Sequence, residues 1–129
     1  MKTGIYPEDI AVAWCALQLQ RPVKWQAERL EDFLSAVHGR DVLSRAELAL
    51  DAQGRVLAMR VHSVANCGAY PSTTSAAIQL LIGPWVATSI YDIAVIDFRF
   101  TAVLTHCAPT GAYRGAGRPE AIYITERLM

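Results

Sequence analysis

The sequence predicts an α+β fold: a mixed β-sheet with a long hairpin and helices packed on one face, in a two-layer sandwich. Three observations carry that prediction. Residues 45–65 alternate around a glycine-containing turn, residues 94–105 form a second β-rich run, and helical spacing recurs before and after both. At 129 residues the chain is one domain at most. A hydrophobic fraction of 53% suffices for a core and separates the chain from disordered sequences. Formal net charge is +0, which leaves no electrostatic footprint for nucleic acid or a membrane surface. No apolar run reaches the roughly 18 residues of a spanning helix, and Met1-Lys2-Thr3-Gly4 lacks the apolar centre of a signal peptide.

Tyr6-Pro7-Glu8-Asp9 opens the first helix, with Pro7 in its first turn and the acids complementing the dipole. Ile10, Ala13, Trp14 and Leu17 follow at helical spacing, and the pattern ends near Arg21-Pro22. Val23-Lys24-Trp25-Gln26 alternates and favours β structure, so a short strand is expected there. Glu28 to Val37 reads as a helix with an apolar stripe of Leu30, Phe33, Leu34 and Val37, stopped by Gly39. His38 lacks a second His or Cys at ligand spacing, so it reads as a partner of the helix C-terminus rather than a metal ligand. His62 and His106 stand alone on strand-like runs.

The hairpin joins Arg45–Leu50 to Arg55–Ala65 through Asp51-Ala52-Gln53-Gly54. Leu57, Met59, Val61 and Ser63 form its more apolar face, which should meet the core; Val56, Ala58, Arg60 and His62 face away. Asn66, Gly68 and Pro71 then make a turn. Residues 72–75 offer caps for a helical segment through Ala76, Ile78, Leu80 and Leu81, broken by Gly83-Pro84. Ala94 to Thr105 is expected to be the longest strand, and Glu120 to Met129 a helix. Cys15, Cys67 and Cys107 show no C-x-x-C, and buried free thiols in a reducing, cytoplasmic setting are expected.

Between the last strand and the last helix lies Thr110-Gly111-Ala112-Tyr113-Arg114-Gly115-Ala116-Gly117-Arg118-Pro119-Glu120. Gly115 and Gly117 permit positive φ or a close approach to a bound group, and Arg114 and Arg118 supply forked cationic donors. Exposed N–H groups ending in a helix N-terminus suit an anion. The pattern is neither the dinucleotide G-x-G-x-x-G nor a P-loop.

Residues Ala112 to Ala121 resemble a segment of the molybdenum-binding large subunit of the xanthine dehydrogenase, aldehyde oxidase and aerobic carbon monoxide dehydrogenase family. Residues Met1 to Glu8, Arg21-Pro22-Val23-Lys24-Trp25 with His38-Gly39-Arg40, and Leu48 to Val56 agree in order and spacing. The resemblance spans nearly all of the chain but a minor part of that subunit, so residues 1–129 look like a single partial molybdopterin-binding domain, an internal fragment.

The resemblance implies a molybdenum–molybdopterin cofactor and hydroxylation at a carbon centre of a small molecule, an aldehyde or an N-heterocycle. Electrons would leave through iron–sulfur and FAD subunits or domains. It places Arg114, Gly115 and Gly117 against the cofactor. It places Thr3 and Ala116 against substrate, at positions where purine oxidisers carry a glutamate and an aromatic. A purine-orienting arginine is replaced near Leu80-Leu81-Ile82, so the resemblance points toward a less polar substrate. Carbon monoxide oxidisers carry a copper-binding cysteine at the position of Gly115, and glycine cannot ligate copper. The family's cofactor-touching Gly-Gly-Phe-Gly turn would precede Lys2, and its general-base glutamate would follow Met129. The isolated chain is therefore expected to be inactive. A stand-alone structural module that self-associates as a homo-oligomer is the competing expectation.

Overall fold

The computed structural model describes residues 4–71 and 74–129. Among them, β1 (Val42–Leu50), β2 (Val56–Asn66) and β3 (Val95–Val103) form one sheet in that order. β1 and β2 are antiparallel, with Leu48 opposite Met59 and a register shift at Ala49/Leu50 beside the turn. β3 runs parallel to β2, from Ala58 opposite Val95 to Asn66 opposite Val103. The sheet is mixed, as expected.

The hairpin turn is a local construction. Asp51 Oδ1 accepts from the amides of Gln53 (2.9 Å) and Arg55 (2.8 Å), while Gly54 takes φ +82°. Beyond the turn, the alternation of β2 decides what is buried. Met59, Val61, Ser63 and Ala65 are all sealed, and Met59 and Val61 with Ala87 centre the core. Leu57, on the same face but next to the turn, stays exposed.

Parallel pairing of β2 with β3 requires a crossover. It is a short helical run: α1 (Pro7–Leu19) and α2 (Arg29–Ser35) precede the sheet, and the crossover then carries α3 (Ser75–Ala77), a π turn (Ile78–Ile82) and α4 (Gly83–Trp85). The final helix, α5 (Arg118–Leu128), lies over the core face, where Ile124 and Leu128 pack against the central cluster. Its buried Thr125 donates to Ala87 O at 2.5 Å, tying α5 to the crossover.

Several expectations need correction. Val23–Gln26 is irregular, because four β-prone residues make no strand without a neighbour to pair with. Residues Val23, Lys24 and Trp25 lie beside α1 instead. Gly83-Pro84 does not break the helical run. Gly83 N–H bonds Ile78 O across the π turn, and Pro84 falls in the first turn of α4, where its missing N–H costs nothing. α2 ends at Ser35, before Gly39. β3, at nine residues, is shorter than the eleven of β2. The cysteines are free, but only Cys67 is buried; Cys107 is exposed.

α1 and α2 keep their apolar stripes in the open. Trp14 is 62% exposed and Leu34 80%, and Ile10, Leu17, Leu30 and Phe33 resemble them. No helix of the described residues is long and apolar enough to cross a membrane.

Candidate functional site

β3 delivers the chain into residues 104–117, and three distant segments hold that stretch. The first is the end of β2. Cys67 N donates to Val103 O (2.8 Å), Thr105 N to Gly68 O (3.2 Å), and Ala69 N to Cys107 O (3.0 Å). Thr110 Oγ1 donates to Asn66 O at 2.6 Å. Asn66 is the hub: its Oδ1 accepts from Gly68 N (2.8 Å) and Thr105 Oγ1 (2.6 Å), and its Nδ2 donates to Asp41 Oδ2 (2.7 Å).

The second segment is the strap after α2. His38 N donates to Pro109 O (2.7 Å), and Gly111 N donates to His38 O (2.8 Å). The imidazole Nε2 lies 3.3 Å from Phe33 O at the end of α2, in keeping with a helix-end partner. Two residues on, Arg40 lays its guanidinium over the Tyr113 ring, 4.9 Å from the centroid. It also donates to the carbonyl of Arg114 and pairs with Glu120 Oε1 at 3.5 Å.

The third is the π turn. Gly115, Ala116 and Gly117 take φ of +91°, +45° and +89° in succession. Such a run needs glycines. A Cβ on Gly117 would stand 2.9 Å from Ile78 O, and one on Gly115 2.7 Å from Pro119 Cγ. Both bare positions are thus used within the fold. The amides of Ala116 and Arg118 are engaged in tight turns with Tyr113 O (2.7 Å) and Gly115 O (3.1 Å).

What remains outward defines the site. Among the described residues the exposed Arg114 side chain has no ion-pair or hydrogen-bond partner, and the amide of exposed Gly115 finds no acceptor, whereas Gly117 is buried against the π turn. They stand at the N-terminus of α5, where aligned peptide dipoles favour negative charge. Arg118 is partly committed, its Nη1 3.3 Å from Gly115 O. An unpartnered guanidinium beside a left-handed glycine turn has the donor chemistry that an anion requires.

Of the expected substrate residues, Thr3 lies outside the described residues, as does Lys2 beside it. Its neighbour Gly4 helps line an apolar groove of about 610 Å³ with Tyr6, Leu34, Tyr70 and Pro109. No residue of 110–118 lines that groove. Ala116 is half-buried within the loop. No cluster of His, Cys, Asp or Glu among the described residues could hold a metal ion directly. The displaced titrations also lie away from the loop. A bond to Glu126 raises the Tyr91 phenol, and bonds from Arg99 and Arg60 lower the Asp97 carboxyl. Sequence reasoning missed the Arg40–Glu120 pair and the Asn66 hub. Asn66 had signalled only a tolerant turn, and nothing local links positions 40 and 120.

Fold and loop together define a small α+β module with an arginine-flanked, glycine-bent loop at a helix start. The particular family is settled by comparison: the chain belongs to the molybdopterin cofactor-binding domain family, whose model matches residues 1–129. It is 36% identical over 134 residues to the 6-hydroxypseudooxynicotine dehydrogenase complex subunit gamma of Paenarthrobacter nicotinovorans, covering 100% of the chain and 16% of that protein. It is 34% identical to the carbon monoxide dehydrogenase large chain of Hydrogenophaga pseudoflava, covering 99% of the chain and 16% of that protein. Among solved structures, quinoline 2-oxidoreductase from Pseudomonas putida 86 superposes with a TM-score of 0.84 at 33% identity, covering 95% of the chain and 16% of its own. The chain thus spans about one sixth of the length of these relatives.

Proposed function

We propose that residues 1–129 form part of a molybdenum hydroxylase large subunit, in which Arg114 and the backbone at Gly115 and Gly117 face the molybdenum–molybdopterin cofactor. The observation that carries this reading is the unengaged Arg114 guanidinium beside the unbonded amide of exposed Gly115 at the start of α5. An anionic group satisfies both, and the cofactor's phosphate and anionic ligands are of that chemistry. When bound, the cofactor supplies oxidative hydroxylation of carbon; the protein's part is positioning and electrostatics. Arg114 screens negative charge, the Gly115 amide fixes its direction, the bare backbone of Gly117 seats the loop against the π turn, and the ties to Asn66 and His38 keep the loop from shifting.

Ala116 and Thr3 are assigned to the substrate wall. Neither carries a charge or an aromatic ring, which suits an aldehyde or a weakly polar N-heterocycle. The names of similar proteins run the same way, with nicotine 6-hydroxylase and quinoline 2-oxidoreductase among them. Gly115 offers no thiolate for copper, so carbon monoxide is not the substrate. Iron–sulfur and FAD partners would carry the electrons away, in a cytoplasmic setting. Several relatives are named as large subunits or members of complexes, in keeping with partner subunits.

The test is metal and pterin content after expression in a host that makes the cofactor, in a subunit carrying this chain. Arg114→Ala is expected to lower molybdenum occupancy at least several-fold without loss of fold. Unchanged occupancy would refute the assignment. The isolated chain should show no sustained dye reduction with an aldehyde or N-heterocycle.

The exposed stripes of α1 and α2 favour one competing reading, a self-associating structural module. Light scattering after size exclusion decides it: a strict monomer rejects that reading, and a stable oligomer of the cofactor-free chain supports it.

A further inference from the structure

Glu120 sits in the first turn of α5 with its side chain only 17% exposed. Oε1 pairs with Arg40, while Oε2 is buried and is the one such side-chain atom among the described residues with no hydrogen-bond partner. A buried carboxylate oxygen in that condition demands an explanation. A cavity of about 20 Å³ lies beside it, lined by Glu120, Ser44, Ser63 and Gly117 together with Phe98 and Ile124. One water requires roughly 10–15 Å³ and at least two polar partners. The serines supply them. Ser44 Oγ and Ser63 Oγ share one hydrogen bond of 2.7 Å, so one hydroxyl proton is used between them and the other is left to give.

We propose that Glu120 is the positioning residue of the arginine-flanked loop, and that one internal water molecule bridges its Oε2 to the Ser44–Ser63 pair. The water donates to the carboxylate and accepts from the remaining serine hydroxyl, which gives both Oε2 and the spare serine proton a partner. Through Oε1 the same carboxylate holds the Arg40 guanidinium, and Arg40 in turn holds the carbonyl of Arg114. Fixing that carbonyl fixes the peptide plane between residues 114 and 115. The direction of the Gly115 N–H and the root of the Arg114 side chain follow from it. The loop is thereby referenced to the sheet, through β1 and β2, as well as to its own turns. The purpose of this device rests on the cofactor reading above; its geometry does not.

Amide hydrogen exchange of the chain tests it. In Glu120→Ala and Arg40→Ala, exchange at Ala116 and Arg118 is expected to rise about tenfold or more, while the β2 amides of Met59 and Val61 keep their protection. Glu120→Gln still offers an acceptor to Arg40 and a partner to the water, and should stay within about threefold of the parent. A high-resolution crystal structure, or water–protein cross-relaxation, should show one long-lived water touching Glu120 and a serine hydroxyl. Three results would overturn the proposal: unchanged loop exchange in Arg40→Ala, equal loosening of β2 and the loop, or no water at Glu120. Arg40 is exposed, so its variant serves even if Glu120→Ala fails to fold. Cofactor content is read separately. Faster loop exchange in Arg40→Ala with full cofactor loading would uphold the positioning role and reject the cofactor wall. An unchanged loop with Arg114-dependent loading would do the reverse.

Discussion

The hairpin turn and the arginine-flanked loop each bend on a glycine at nearly the same angle, Gly54 at φ +82° and Gly117 at +89°. Their surroundings differ. A Cβ on Gly54 would meet nothing within 4 Å, whereas one on Gly117 would press on the Ile78 carbonyl. The hairpin is assembled from neighbours in sequence, with Asp51 capping its own turn. The loop is assembled from positions 38–41, 66–69, 78 and 120, none adjacent to the others. A scaffold element can be local, while a site that must hold a cradle open relies on contacts from several directions.

The largest effect is expected where the two regions share support. Met59 lies in β2 and is 1% exposed at the centre of the core. Met59→Ala should cost about 2–5 kcal/mol in urea denaturation and lower the protection of hairpin and loop together. A loss confined to the hairpin would break the comparison.

The two glycines come next. Gly117→Ala should cost roughly 1–3 kcal/mol, combining left-handed strain with the contact on Ile78. Gly54→Ala should cost about 1–2 kcal/mol, from strain alone, and sit at or below the other. Equal losses would show that the π turn yields easily and that Gly117 is no better anchored than a surface turn.

Asn66→Ala removes an acceptor for Gly68 N and Thr105 Oγ1 and a donor to Asp41. About 1–2 kcal/mol is expected, with faster amide exchange concentrated at residues 105–111. The smallest effect belongs to the outer face of the sheet, where Asp97 is bonded by Arg99 (3.2 Å) and Arg60 (3.1 Å). Those bonds hold its carboxyl below the ordinary value of 3.8. A lowered folded-state pKa means a contribution present above that ordinary value and lost as pH falls through the lowered one. Asp97→Asn should therefore lower stability slightly at pH 7, flatten the acid limb of the stability–pH curve to match, and differ little from the parent at low pH, the whole effect being small because the group is exposed.

The sequence revealed what repeats locally. Period two placed Met59, Val61 and Ser63 inward, and Pro7 with its acids marked the start of α1. It misplaced Val23–Gln26 because strand pairing depends on a neighbour that four residues cannot announce. It misread Gly83-Pro84 because the π turn ends at Ile82, so Pro84 falls in the first turn of a new α segment where its missing N–H is tolerated. At the loop, composition singled out the glycines and arginines, yet not how they divide. The bareness of Gly115 and Gly117 is taken up by Pro119 and Ile78, and Arg40 reaches across 74 residues to the Arg114 carbonyl. Contacts at that separation leave no periodic trace.

The most direct measurement is amide exchange of the chain with and without molybdenum cofactor released from another molybdenum enzyme. Protection is predicted at Arg114, Gly115 and Gly117, and abolished by Arg114→Ala. Protection elsewhere with none at these three amides, or protection indifferent to Arg114, would contradict the account.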